Sequence, residues 1–287
     1  MFKTSFDGLK NHDTALLLVT FGSTHQEAHD TFHKIASQFA QRFPDTDLYM
    51  AFTSKICMKR WFEKTGEQFH PASTLLDQLA GAGYSHINIQ SLHVIPGEEY
   101  KMVKEKMLTE FRLTHPGVEV VMGAPLMDSD EDIKLLGDTL LRLYLQRLEQ
   151  GELLVLMGHG NDKSKFRDAN QKYLDLQNYF NTLTDRIYIG TVDFEEMTID
   201  HLLEVFAGKY PRGTVINLLP LMSIAGDHAK NDMAGAYDPD EADEDQSWRV
   251  RLQKAGFVIE DENCRLRGLA DEPEIVDIWI KHLQQVL

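Results

Sequence analysis

The chain has 287 residues, 43% hydrophobic and 26% charged, which suits one large α/β domain or two of roughly 130–150 residues and excludes wholesale disorder. A formal net charge of −16 argues against a nucleic-acid partner, which needs clustered basic side chains, and favours cations over anions at long range. No run approaches the roughly 20 apolar residues of a membrane span, the early apolar stretch comes too late for a secretion signal, and Cys57 and Cys264 are too few for a disulfide framework, so a cytoplasmic protein is expected.

In chain order, short apolar runs alternate with stretches of helical period, the signature of a parallel sheet flanked by helices. Strands are predicted over residues 15–20, 47–52, 86–95 and 118–122. Between the first two, Phe32, Ile35, Ala36, Phe39 and Phe43 recur at helical spacing and give one apolar face. A helix follows Gly97, with Val103, Met107 and Phe111 turned inward. A leucine-rich helix over 128–149, opened by the capping residues Asp128, Ser129 and Asp130, leads into a second half. Its strands are predicted over 152–157, 186–192 and 214–221, with a short fourth over 257–260. Pro273 stands where a first helical turn tolerates it, and Ile275, Val276, Trp279, Leu283 and Val286 form a stripe that can pack back on the first half.

The halves also resemble one another. Residues 17–22 can be laid on 155–160, and 88–99 on 217–228, in the same order and at similar spacing. The pattern implies a duplicated α/β unit: two similar Rossmann-like halves, each a parallel sheet flanked by helices, with a cleft between them. The predicted division is 1–127, 128–271, and a final helix over 272–287 returning to the N-terminal half.

In open parallel sheets, ligands bind beyond the carboxyl ends of the strands. That rule selects Phe21-Gly22-Ser23-Thr24-His25, His93, His159, residues 193–196 and Asp227-His228; four of these five clusters carry a histidine. His159 lies between Gly158 and Gly160, which permit close approach of a ligand, and its imidazole can serve as a base, a metal ligand or a helix cap. Asp227 beside His228 can orient an imidazole or cap a helix, and the overlay of the halves sets His228 on Glu99. Asp193 directly follows a strand and can complete a mixed nitrogen and oxygen set suited to cobalt, nickel or iron. Glu195 and Glu196 fit the first turn of a helix, where the dipole favours acids in any case. His25 and His93 read first as satisfied polar residues at strand ends. Lys163, Lys165 and Arg167 are either partners for substrate carboxylates or ordinary surface charges, and the acidic run at 238–245 lacks the spacing of a calcium loop. No GxxxxGKS/T loop, GxGxxG after a strand, GxSxG elbow, HExxH or paired CxxC pattern occurs, so no nucleotide cofactor is expected.

With these residues in view, the chain resembles the anaerobic cobalt chelatases, or sirohydrochlorin cobaltochelatases, of the ATP-independent class II chelatases. The resemblance runs over residues 15–269 and rests on Phe21-Gly22-Ser23-Thr24, Ala51-Phe52-Thr53-Ser54, residues 91–100, Met157-Gly158-His159-Gly160, Gly190-Thr191-Val192 and residues 225–233. It implies two α/β halves around a tetrapyrrole cleft, with the metal site on the C-terminal half, and insertion of Co2+ into sirohydrochlorin in cobalamin biosynthesis. By resemblance, His159 and His228 are the metal-binding histidines and His159 is also the base for pyrrole protons. The family's acidic ligand is a glutamate after Gly-Thr-Val, where this chain has Asp193; either the metal sits differently or Glu195 or Glu196 supplies the carboxylate. Position assigns Phe21, Gly22, Ser23 and His93 to the macrocycle. The residue types do not separate Co2+ from Fe2+ or Ni2+. Another ring, metal removal, a non-catalytic tetrapyrrole or metal carrier, and a homo-oligomer all remain compatible with the sequence.

Overall fold

The computed structural model describes residues 1–161 and 165–287 in full and, of residues 163 and 164, the backbone alone. The chain divides into two units, residues 1–128 with 270–287, and residues 129–269.

The first unit runs β1 (Thr14–Thr20), α1 (Gln26–Arg42), β2 (Thr46–Phe52), α2 (Lys55–Thr65), α3 (Ala72–Gly81), β3 (His86–Ser91), α4 (Glu98–Lys101), a π-helical segment Met102–Met107, α5 (Leu108–Thr114) and β4 (Glu119–Gly123). Its four strands are parallel in the order β2-β1-β3-β4. A strand covered on both faces reads as an unbroken apolar run, and Ala15 to Val19 are completely buried. Alternation sends Ala15, Leu17 and Val19 into the core formed with Leu75, Leu76 and Leu79 of α3, and Leu16 and Leu18 to the opposite face. Burial of each such side chain contributes about 1.5–3 kcal/mol.

In the second unit, α6 (Asp130–Glu149) starts at a capping box in which Ser129 Oγ accepts from the Asp132 N–H at 3.2 Å and Asp132 Oδ2 accepts from the Ser129 N–H at 2.8 Å. There follow β5 (Leu153–Gly158), α7 (Lys163–Leu183), β6 (Ile187–Thr191), a 3₁₀ turn Glu195–Met197, α8 (Ile199–Phe206), β7 (Ile216–Pro220), a π-helical segment Ala229–Met233 and α9 (Trp248–Ala255). The strands are again parallel, in the order β6-β5-β7. The last helix, α10 (Pro273–Gln284), belongs to the first unit and packs on β3, β4 and α1.

The two units share a backbone plan, down to individual hydrogen bonds. Beyond the strand ends of the first unit, Thr53 N–H donates to Thr20 O (2.9 Å), Ser54 N–H to Phe21 O (3.1 Å) and Leu92 N–H to Val19 O (2.8 Å). In the second, Val192 N–H donates to Gly158 O (3.1 Å), Asp193 N–H to His159 O (2.8 Å) and Leu221 N–H to Met157 O (2.7 Å). Leu16 pairs with Asn88 and Leu154 with Asn217, so the ladders carry the register of the sequence overlay. In each unit one strand, β3 in the first and β7 in the second, is followed by a bend and a π-helical turn, a rare feature that tends to occur at functional sites.

Two predicted strands are corrected. The strand over 86–95 stops at Ser91, because the chain turns away to let His93 O accept from Leu126 N–H (2.9 Å) and from Trp279 Nε1–H (3.2 Å). The segment 257–260 makes one isolated bridge, Val258 to Val215, and no strand. A capping box between Glu260 and Asn263 then draws it into a 3₁₀ turn, Asp261–Asn263, before a second bridge from Cys264 to Leu218.

Candidate functional site

β5 delivers His159 at its carboxyl end, and four glycine-dependent and polar devices hold it there. Gly160 has φ +84, a conformation that L side chains resist, and an added Cβ would stand 2.7 Å from Phe194 N. Gly158 has no room either, since a Cβ would lie 2.6 Å from the Tyr173 ring. Tyr173 of α7 is buried under the loop, and its hydroxyl accepts from the backbone N–H groups of His159 and Gly160. Burial pushes that hydroxyl's pKa up to about 12, so it remains a neutral phenol at every physiological pH. One helical turn earlier, the fully buried Asn170 accepts from Asn161 N–H (2.9 Å) and donates to Asn161 O (2.8 Å). α7 thus grips the backbone on both sides of the His159 loop.

Asp193 arrives from β6. Its N–H is held by His159 O, and the next residue is pinned by Thr191, whose Oγ1 accepts from Phe194 N–H (3.2 Å) and donates to Phe194 O (3.0 Å). His228 enters from the bend after β7, one residue before the π-helical turn, and its Nδ1 meets Asp232 Oδ2 at 2.5 Å. The second unit therefore brings His159, Asp193 and His228 together. The rings of His159 and His228 stand 4.7 Å apart, centroid to centroid, and cross at 89°. His159 Nδ1 lies 2.9 Å from Gly160 O and 3.3 Å from Asp193 Oδ2. All three side chains, and that of Asp232, are about half exposed and open to a ligand. Glu195 and Glu196 are exposed in the 3₁₀ turn beyond. Among the described residues, no three His, Cys, Asp or Glu side chains converge closely enough to form a ready-made cage for an ion.

Tautomers follow from these contacts. A carbonyl oxygen only accepts, so neutral His159 carries its proton on Nδ1 and presents a lone pair at Nε2. The carboxylate of Asp232 likewise accepts a hydrogen bond from His228 Nδ1–H, so that the lone pair of this ring is at Nε2. Two imidazoles presenting Nε2 at orthogonal rings can receive one divalent cation or accept a proton.

In the first unit, Phe21 is 48% exposed at the end of β1, and Gly22, at φ +99, lies so close to Phe52 that a Cβ would meet the ring at 2.5 Å. Ser23 is buried; its Oγ accepts from His25 N–H (3.2 Å) and its carbonyl meets His29 Nε2 (2.9 Å). His29 is stacked on Trp61 at 3.4 Å, and burial lowers its pKa despite the hydrogen bond to Ser23. His93 Nδ1 is 2.7 Å from Ser91 Oγ, whereas Nε2 is buried without a hydrogen-bond partner, as are Thr53 Oγ1, Gln90 Oε1 and Glu99 Oε2. Burial drives the His93 pKa down to about 4, so the ring is neutral at physiological pH. Lys165 and Arg167 are exposed on α7, while the side chain of Lys163 lies outside the described residues. The acidic run is a loop tied by Gln246, which accepts from Asp238 N–H (3.0 Å) and donates to Glu241 O (3.1 Å).

The family model described as cobalt chelatase (CbiK) matches residues 14–287. The chain belongs to the cobalt chelatase family. It is 33% identical over 278 residues to a sirohydrochlorin cobaltochelatase of Salmonella typhimurium, covering 95% of this chain and 96% of that one. A second relative, the sirohydrochlorin cobaltochelatase CbiKC of Nitratidesulfovibrio vulgaris, is 31% identical over 271 residues, covering 93% and 88%. Among solved structures, SirB from Bacillus subtilis with Fe3+ superposes with a TM-score of 0.59 at 13% identity, covering 95% of this chain and 94% of that one. A sirohydrochlorin chelatase SirB from Bacillus subtilis subspecies spizizenii in complex with cobalt gives 0.54 at 12% identity over the same shares. These two likenesses concern the chelatase fold, two α/β units with parallel sheets.

Sequence reasoning missed four residues of this arrangement: Asn170, Tyr173, Asp232 and His29. Asp232 was legible, since a carboxylate four residues after His228 faces it across one helical turn. Asn170 is a polar residue beside Ala169 and Tyr173 on a buried helix face, which flags a hydrogen-bonding duty but not its partner.

Proposed function

We propose that this chain is a cytoplasmic, ATP-independent chelatase that inserts Co2+ into sirohydrochlorin. The carrying observation is the pair of orthogonal imidazoles at the strand ends of the second unit, each with Nδ1 engaged and Nε2 free to act. His159 and His228 supply the nitrogen donors, and Asp193 supplies the carboxylate of the site. Such a set holds a first-row cation weakly enough to surrender it, which a closed cage of thiolates would not do. The reaction exchanges two pyrrole protons for one Co2+. When the cation passes to the ring nitrogens, the His159 Nε2 that released it is free to take one displaced proton while the other passes to solvent, so one imidazole serves in turn as ligand and base. The net charge of −16 raises the local concentration of the cation rather than that of a polycarboxylate ring. Ring recognition is assigned to Phe21, Gly22, Ser23 and His93.

The test is anaerobic absorption spectroscopy of the full chain with sirohydrochlorin and Co2+, Fe2+ or Ni2+, beside His159→Ala. Catalysed spectral conversion that falls by about 10²–10⁴-fold in the variant is expected, and the relative rates rank the metals. Ring binding without faster insertion of any metal would overturn the chelatase reading in favour of a carrier.

A further inference from the structure

We infer that α2 takes the peripheral carboxylates of the ring, with Lys55, Lys59 and Arg60 as the receiving cations. This assignment rests on the chelatase reading and names the part of the substrate that the first unit recognises.

A ring bearing many carboxylates meets a chain of net charge −16 against long-range repulsion, so its site needs local cations. At the carboxyl ends of the first unit's strands, α2 is the element that has them in surplus. Residues 55–65 carry Lys55, Lys59, Arg60 and Lys64 against the single acid Glu63. After β1, by contrast, residues 26–42 hold two acids and two bases, and after β3 residues 98–107 hold three glutamates and three lysines. The corresponding stretch of the second unit has the opposite sign. Ser54 and Asp193 are counterparts in the two backbone plans, and residues 194–206 hold Glu195, Glu196, Asp200 and Glu204 with no lysine or arginine. One unit is acidic where the metal cation is received; the other is basic at the same place.

α2 also lies against the loop assigned to the ring. Ser54 N–H, one residue before the helix, donates to Phe21 O (3.1 Å), and Lys64 Nζ in the last turn donates to Thr24 O (3.1 Å). The helix, about 16 Å long at 1.5 Å per residue, is thereby tied to both ends of that loop. Met58 and Trp61 turn one face into the core, and Lys55, Lys59 and Arg60 are exposed on the other. Lys59 has only Glu63 beside it, at 3.8 Å, and among the described residues neither Lys55 nor Arg60 has an acid partner. Helix stability does not account for these charges, since the first turn contains Lys55 and no acid, the reverse of what the dipole favours. Arg60 can grip a carboxylate through two parallel N–H bonds, and the lysines add point charges beside it.

The test measures binding of sirohydrochlorin alone, anaerobically and by the ring's own absorption and fluorescence, at low and high ionic strength. The proteins are the full-length wild type, the triple variant Lys55→Gln, Lys59→Gln, Arg60→Gln, and Glu63→Gln, with Co2+ binding measured on each in parallel. Ring affinity should fall roughly threefold per cation and about 30-fold in the triple variant, with a smaller loss at high salt and Co2+ affinity unchanged. Glu63→Gln, which releases Lys59, should tighten ring binding about threefold. Equal ring affinity in the wild type and the triple variant, or equal losses for ring and Co2+, would overturn the assignment and leave the chelatase reading standing. If the triple variant fails to fold, unchanged or weaker ring binding by Glu63→Gln would overturn it. A wild type that binds no sirohydrochlorin would instead defeat the chelatase reading itself.

Discussion

Replacing Tyr173 by phenylalanine tests whether α7 holds the His159 loop by hydrogen bonding rather than by packing alone. The substitution keeps the buried ring, so no cavity larger than one oxygen is made. It strips the acceptor from two backbone N–H groups, those of His159 and Gly160. An unsatisfied buried donor costs roughly 1–3 kcal/mol. The loop lies at the rim, where the His159 side chain is half exposed, so water can serve one of the two donors. A net loss of about 2 kcal/mol is therefore expected, readable as a lower urea midpoint with an unchanged slope. Catalysis should suffer separately. A reacting group displaced by about 1 Å loses on the order of 10²-fold in rate, and a loosened loop should lose about tenfold in kcat with little change in KM for the ring. Stability and initial rates of metal insertion would be measured on one preparation, at a temperature where both proteins are fully folded. A variant with wild-type stability and wild-type kcat would refute the reasoning, because the hydroxyl would then have had no acceptor duty to lose.

Gly160→Ala should cost about 1–2 kcal/mol in backbone strain and also cripple metal insertion, because its Cβ would press on Phe194 N at 2.7 Å. Gly66→Ala, at φ +76 with nothing within 4 Å, should show the strain alone in thermal unfolding and retain the full rate. Asp47 offers a pH prediction remote from the site. Burial raises its pKa, but bonds from Tyr84 Oη (2.6 Å), Asn11 Nδ2 (3.0 Å) and the backbone N–H groups of Asn11 and His12 outweigh that and hold it at about 2, below its ordinary 3.8. A lowered carboxylate pKa stabilises the fold above 3.8 and ceases to do so as the pH falls through about 2, a contribution of roughly 2 kcal/mol. Urea titrations from pH 5 to about 2 should show that loss, with a flatter profile in Asp47→Asn; parallel profiles would remove Asp47 as the cause.

The strands were legible because parallel strands buried on both faces leave contiguous apolar runs in the sequence, as the fully buried Ala15 to Val19 and Leu153 to Met157 do. Their ends were less so. β3 stops at Ser91 although Leu92, Val94 and Ile95 continue the apolar run, because those side chains are buried in a loop instead of a ladder. The π-helical turns carry no local signal, since they depend on how the chain re-enters after the bend. Within the site, strand-end histidines were visible by position alone, whereas Tyr173 and Asn170 lie mid-helix and acquire their roles only when α7 packs under β5.

The two backbone plans explain why a duplicated scaffold can carry chemistry in one half and not repeat it in the other. Matching hydrogen bonds make Phe21 the counterpart of His159 and Ser54 the counterpart of Asp193, and the overlay of the sequences makes Glu99 the counterpart of His228. Every bond that defines these strand-end positions is made by backbone N–H and carbonyl groups, which are indifferent to the side chain they carry. The positions were thus free to change their chemistry without loss of the fold, so one half acquired two imidazoles, each backed by a carboxylate, and the other an exposed phenylalanine and a glutamate with a buried, unpartnered oxygen. Exchanging the side chains at these positions between the halves should therefore leave folding largely intact and abolish metal binding, whereas cutting the shared backbone bonds, as a proline at Asp193 would, should damage both.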